Sequence, residues 1–117
     1  MTPDEMKRRT KTFAVQVIKF VEGLPRGRAV DRLIRQLVDC ATSVGANYRA
    51  ACLARSRAEF TSKLQISLEE ADESQYWLEV LNEAGFSGGS VHEELLKEAK
   101  ELTAILMSGV KTARSVI

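Results

Sequence analysis

Little in this chain interrupts a helix. Proline occurs twice, at Pro3 and Pro25, and beyond the N-terminus only Pro25 and the glycine-rich stretch from Gly85 to Gly89 punctuate the sequence. Such sparse punctuation predicts an all-helical protein. Histidine occurs once, at His92, so a histidine-based metal cluster or a relay of two histidines is excluded. Two cysteines, Cys40 and Cys52, stand on one expected helix. At a rise of 1.5 Å per residue they lie about 18 Å apart, far outside disulfide reach. They read as small apolar residues in a reducing cytoplasm. Aromatics make up 6% of the residues, and no apolar run approaches the roughly 18 residues of a membrane span. The opening MTPDEMKRRTKTF has no apolar h-region, so a secretory leader is not expected.

Charge is plentiful and unevenly placed. Residues 1–58 hold twelve Lys and Arg against five Asp and Glu, whereas residues 59–117 hold five against eleven. A net +1 therefore hides two polarised halves. Such a split points to a charged partner or to self-complementarity.

The 117 residues suffice for one domain, 1–117, with its own core. Four helices follow from the punctuation. Thr2 is the expected N-cap of the first, with Pro3 at N1 and Asp4 and Glu5 in the first turn. Met6, Phe13, Val17, Phe20 and Leu24 form its apolar stripe, and Gly23 and Pro25 end it. The second helix is expected from Arg28 to Ala54, with Val30, Leu33, Leu37, Ala41, Val44, Tyr48 and Ala51 inward. Gly45 within it costs about 1 kcal/mol relative to Ala, so a close backbone approach is expected there. Ser56-Arg-Ala-Glu59 is a capping-box pattern opening the third helix, and Gly85 is its expected C′ residue. Ser90-Val-His-Glu93 repeats the pattern for the fourth, with Leu95, Ala99, Leu102, Leu106, Val110 and Ala113 inward.

The third helix carries two stripes. Phe60, Leu64, Ser67, Ala71, Leu78 and Leu81 suit a bundle core. Ile66, Trp77, Val80 and Ala84 form a second, offset stripe, and Ile66, Trp77 and Val80 are the expected contacts between subunits. Short connections force each helix antiparallel to the one before, which gives an antiparallel up-down-up-down four-helix bundle.

That topology gathers charge. One end, here end A, holds the start of the first helix, the turn between the second and third, and the end of the fourth. Lys7, Arg8, Arg9, Lys11, Arg55, Arg57, Lys63, Lys111 and Arg114 all fall near it, opposed by Asp4, Glu5 and Glu59. The opposite end, end B, is mixed to acidic. Lys7, Arg8, Arg9, Lys11, Arg55 and Arg57 are therefore the candidate nucleic-acid contacts, able to bind phosphates without reading sequence. No aromatic residues interleave with them to stack bases.

Other chemistries find no foothold. The acidic run Glu69-Glu-Ala-Asp-Glu73 lacks the Glu-x-x-His pairs of a helical di-metal site, so no metal or other cofactor is expected. Arg35 or Arg49 is expected to pair with Glu70, Asp72 or Glu73 instead. No serine or cysteine has a histidine at helical spacing to act as its base. No glycine-rich loop follows a strand, so no nucleotide cradle or small-molecule substrate site is evident. Asn47, mid-helix beside Gly45, is expected to make an interhelical hydrogen bond.

Three stretches together resemble a known family. They are Gln36-Leu-Val-Asp-Cys-Ala-Thr-Ser-Val-Gly-Ala-Asn47, then Tyr48-Arg-Ala-Ala51 with Ala54-Arg-Ser-Arg-Ala-Glu-Phe60, and Glu69-Glu-Ala-Asp-Glu-Ser-Gln-Tyr-Trp-Leu-Glu79. They look like the bacterial four-helix-bundle proteins that include the products of 23S rRNA intervening sequences, once labelled S23 ribosomal proteins. The resemblance implies a four-helix bundle and a homo-oligomer, with relatives assembling as pentameric rings. It also implies a link to nucleic acid, because some related proteins are nucleic-acid-binding accessories of reverse transcriptases. It supplies no catalytic residues. Two expectations follow: a non-enzymatic oligomer whose basic rim binds RNA or DNA, or a protein-interaction and self-assembly scaffold with no nucleic-acid ligand.

Overall fold

A computed structural model describes residues 1–115. It contains four helices: α1 (Pro3–Glu22), α2 (Arg28–Cys52), α3 (Arg57–Glu83) and α4 (Ser90–Ser115). The described molecule is a rod of 48 × 24 × 20 Å. Each helix packs on the next, and α1 packs on α4, with no close backbone approach across either diagonal among the described residues. The section is therefore a square, and the protein is a four-helix bundle. Cross-helix bonds fix the directions. Ser67 meets Val44 while Ser74 meets Cys40, so α3 runs against α2. Gln75 meets Thr103 while Gln65 meets Arg114, so α4 runs against α3. Arg9 meets Glu98 while Phe20 meets His92, so α1 and α4 are antiparallel as well.

The helix ends follow local chemistry. Thr2 Oγ1 accepts the Glu5 amide at 3.2 Å, and Ser56 Oγ accepts the Glu59 amide at 3.0 Å. At the end of α3 the Phe86 amide donates to the Leu81 carbonyl and the Gly85 amide to that of Asn82, with Gly85 at φ +83°. These are the two bonds of a Schellman stop, in which glycine is the residue that takes positive φ without strain. Two boundaries differ from expectation. The second helix stops at Cys52, because the Leu53 and Ala54 amides drop back to the Ala50 and Ala51 carbonyls. The fourth begins one residue early: Ser90 is already helical, and the Glu93 amide bonds to the Gly89 carbonyl. Gly89, at φ +89°, takes the cap position expected of Ser90.

The core contains Phe13, Val17, Leu37, Val44, Leu78, Leu81, Leu102, Leu106 and Val110, all essentially inaccessible to solvent. It also contains residues whose polarity hides them from apolar patterning: Thr10, Ser67, Ser74 and His92. The Ser67 hydroxyl donates to the Val44 carbonyl at 2.7 Å, tying α3 to the middle of α2. Asn47 does not make the interhelical bond expected of it. Its Nδ2 donates to the Ser43 carbonyl one turn back on the same helix, at 2.9 Å.

At Gly45, α1 and α2 come close together. A β-carbon there would lie 2.9 Å from Thr10 Oγ1 and 3.2 Å from its Cβ. The absent side chain is thus a packing requirement that offsets glycine's poor helix propensity. Gly45→Ala is expected to lower stability by about 1 kcal/mol net: overpacking costs about 1–3 kcal/mol, and better propensity returns about 1 kcal/mol. A denaturant midpoint that rises instead would show that the two helices part without cost. Combining Gly45→Ala with Thr10→Ala should recover more than the single effects sum to.

His92 predicts a pH dependence. Its side chain is buried against Phe20, ring centroids 6.1 Å apart, and Nδ1 has no hydrogen-bond partner among the described residues. Burial pushes its pKa below the ordinary 6.5, outweighing the attraction of Glu93. The unfolded chain then takes up a proton more readily than the folded one. Its contribution to stability is intact above pH 6.5 and declines as pH falls below that value. His92→Leu should flatten the denaturation midpoint against pH just below 6.5, and an unchanged slope would place the titration elsewhere.

Candidate nucleic-acid interface

The burial of α1 decides where its cations point. Met6, Thr10, Phe13 and Val17 face the core, which turns Arg8 and Lys11 outward and leaves Lys7 at the edge, half-buried. Among the described residues, no carboxylate lies within ion-pair distance of Lys7, Arg8, Lys11 or Arg55. Arg55 is exposed in the connection between α2 and α3, and Arg57 is exposed as the first residue of α3.

Arg9 departs from this group. Its guanidinium grips Glu98 with two parallel bonds of 2.7 Å, Nε to Oε2 and Nη2 to Oε1, and reaches Glu101 at 3.0 Å. These carboxylates raise its proton affinity, Glu98 most. Its geometry is the planar fork that suits arginine to carboxylates. A quarter of its side chain remains accessible, so the clasp stabilises by about 1 kcal/mol at most. Arg9 therefore latches α1 to α4 and leaves the set of free cations. Sequence periodicity puts it on the same helix as Lys7 and Lys11 but does not show which carboxylates face it.

Arg49 joins the basic face instead. It is exposed in the last turn of α2, one turn beyond Gly45. Gly45 packs on Thr10, so that turn of α2 lies beside Lys7. The expectation that Arg49 or Arg35 pairs with Glu70, Asp72 or Glu73 fails: no such pair forms among the described residues. Both arginines occupy the exposed side of α2, whereas its seam with α3 runs through Cys40 and Val44. Glu70 has Asp39 of α2 nearby instead. Burial first, then Glu73, Glu69 and Asp39, raise its pKa above the ordinary value.

Beneath end A lies an apolar cleft of about 830 Å³. Met6, Tyr48, Phe60, Leu64, Ile105 and Gly109 line it, and Arg57 is the one charged residue among its described lining. Tyr48 is pushed up to about 12, chiefly by burial. That lining holds no acid–base pair. The Cys40 thiol is equally unsuited to attack, being buried and pushed up to about 11, with the Ser74 hydroxyl donating to its sulfur at 3.4 Å. Among the described residues, no group of three or more His, Cys, Asp and Glu is placed to hold a metal ion. None of their helices is long and apolar enough to cross a membrane.

The second stripe of α3 is half-buried. Trp77 rests against the bundle core, and its Nε1 is buried without a partner among the described residues. Tyr76 meets it edge-on at 4.9 Å and is 57% exposed. Ile66 and Val80 are half-exposed along the same helix.

Comparison with known proteins agrees with this architecture. The model of the 23S rRNA-intervening sequence protein family matches residues 4–108. A solved structure from Bacteroides thetaiotaomicron, described as a protein with unknown function from the S23 ribosomal protein family, superposes with a TM-score of 0.82 at 31% identity. The alignment covers 95% of this chain and 99% of that one. The comparison with curated proteins gave no match. The chain belongs to the 23S rRNA-intervening sequence protein family.

Proposed function

We propose that this protein is a non-enzymatic, cytoplasmic homo-oligomer that binds RNA or DNA through its basic end without reading sequence. The observation that carries the reading is the cluster of Lys7, Arg8 and Lys11 on α1 and Arg55 beyond α2, with no ion-pair partner among the described residues. Arg49 extends it, and Arg57 stands exposed at the same end. The family's description as a 23S rRNA-intervening sequence protein supports a connection with RNA. A ring of five copies, the assembly that the resemblance implies, would repeat the basic end around one rim. Weak phosphate contacts would then act together. Ile66, Trp77 and Val80 are the proposed contacts between copies.

Binding of a generic fluorescent oligonucleotide tests the first part. Affinity should fall steeply with salt, because each phosphate neutralised releases counterions. The Lys7→Ala, Arg8→Ala, Lys11→Ala triple variant neutralises fewer phosphates. Its slope of log affinity against log salt should be shallower by about 0.9 for each duplex phosphate left unneutralised, or about 0.7 on a single strand. Arg9→Ala should leave that slope unchanged, since its guanidinium is held by Glu98. Absent binding at low salt would favour the scaffold reading, in which the charge split serves assembly alone. Light scattering tests assembly: a particle of 13.0 kDa would be a monomer and would remove the ring.

A further inference from the structure

Two patches of charge sit at the wrong ends of their helices. Arg28 and Arg32 open α2, where the positive pole of the helix disfavours cations. Glu79 and Glu83 close α3, whose last turn has no basic residue and whose negative pole disfavours anions. All four are exposed. None makes an ion pair among the described residues. In α2, Asp31 of the first turn, paired with Arg26, offsets part of that cost; at the end of α3 no basic residue of the last turn does.

The two patches match in height. Val44 lies level with Ser67, and Cys40 with Ser74. Continuing that register toward end B puts Arg32 level with Glu79 and Arg28 level with Glu83, to within about one helical turn. Arg35 falls level with Tyr76, whose ring is 57% exposed and offers a face to a guanidinium. The helices α2 and α3 are neighbours in the bundle, and both patches are exposed on its outside.

We propose that the basic patch of α2 in one copy docks on the acidic patch of α3 in a second copy, Arg28 and Arg32 against Glu83 and Glu79. This rests on the homo-oligomer reading above and names the surfaces that make it. The two surfaces differ, so the contact is heterologous and generates either a ring or a filament. A rotation about an axis parallel to the bundle carries each patch to its neighbour at unchanged height. The matched register therefore demands no translation along the axis, which is the condition for a ring rather than a helical filament. Like charges brought face to face in another register would repel, which fixes orientation. The exposed Tyr76 and the half-exposed Val80 flank Glu79 and Glu83 on that face of α3 and would be covered by the neighbour.

Charge reversal provides the test. Arg28→Glu with Arg32→Glu makes both patches acidic. Glu79→Lys with Glu83→Lys makes both basic. Reversal at Arg28 and Glu83 suits the helix dipole better than the native residue, and Arg32 and Glu79 are exposed, so the monomer keeps its fold, which circular dichroism checks. Each double variant should shift the light-scattering mass from that of the oligomer to 13.0 kDa. The fourfold variant, with both patches reversed, should regain the wild-type mass. Wild-type mass in both double variants would overturn this interface while leaving the oligomer intact. A fourfold variant that stays at 13.0 kDa would overturn it too. A wild-type protein of 13.0 kDa would remove both the interface and the assembly reading.

Discussion

The length of the connections constrains everything else in this molecule. Five residues separate α1 from α2, four separate α2 from α3, and six separate α3 from α4. At about 3.5 Å per residue none can span the roughly 30–40 Å of a helix, so every helix must begin where its predecessor ended. Thr2, Ser56 and the Schellman stop at Gly85 enforce those reversals locally. The charge distribution along the chain becomes a distribution in space only because of them. Lys7 and Arg55, far apart in sequence, come to one end of the rod, and Arg28 comes level with Glu83.

Within that frame the seams differ. The α1–α2 seam depends on close approach, with Gly45 empty so that Thr10 fits. The α2–α3 seam is held by a buried hydroxyl, Ser67 on the Val44 carbonyl. The α4–α1 seam, which joins the first and last helices, relies on the two-pronged Arg9–Glu98 clasp and on Phe20 against His92. Past that clasp, toward end A, α1 and α4 contribute Met6, Ile105 and Gly109 to the apolar cleft. A basic rim and an apolar cleft at one end, and mismatched charge at the other, leave the two ends of the rod chemically distinct.

Much of this was legible in the chain. Pro3, Pro25, Ser56 and Gly85 mark element ends by chemistry that acts over a few residues. The periods of Phe13 and Val17, of Leu37 and Val44, and of Leu102 and Leu106 mark the buried faces. Even Gly45 announced a close approach, because an unfavourable helix residue needs a reason. The misses have a common cause. Arg9, Asn47 and Arg49 each have several possible partners within reach of a long or branched polar side chain, and helical periodicity gives a direction without a neighbour. Arg9 turned out to be a latch, Asn47 satisfied its own helix, and Arg49 joined the basic face. His92, which belongs to no apolar stripe, is buried against Phe20, which arrives from a helix over seventy positions earlier.

By itself the sequence determined the number of helices, where they turn and which face of each is apolar, since those depend on backbone chemistry and on a 3.6-residue period. It also determined that cations would gather at end A. Tertiary structure alone decided which of those cations remain unpaired. Ion pairing requires atoms within about 4 Å, a distance set by helix rotation and axial offset, and no local signal encodes either. The same rotation and offset decided that Arg28 and Arg32 at the start of one helix should stand level with Glu83 and Glu79 at the end of the next.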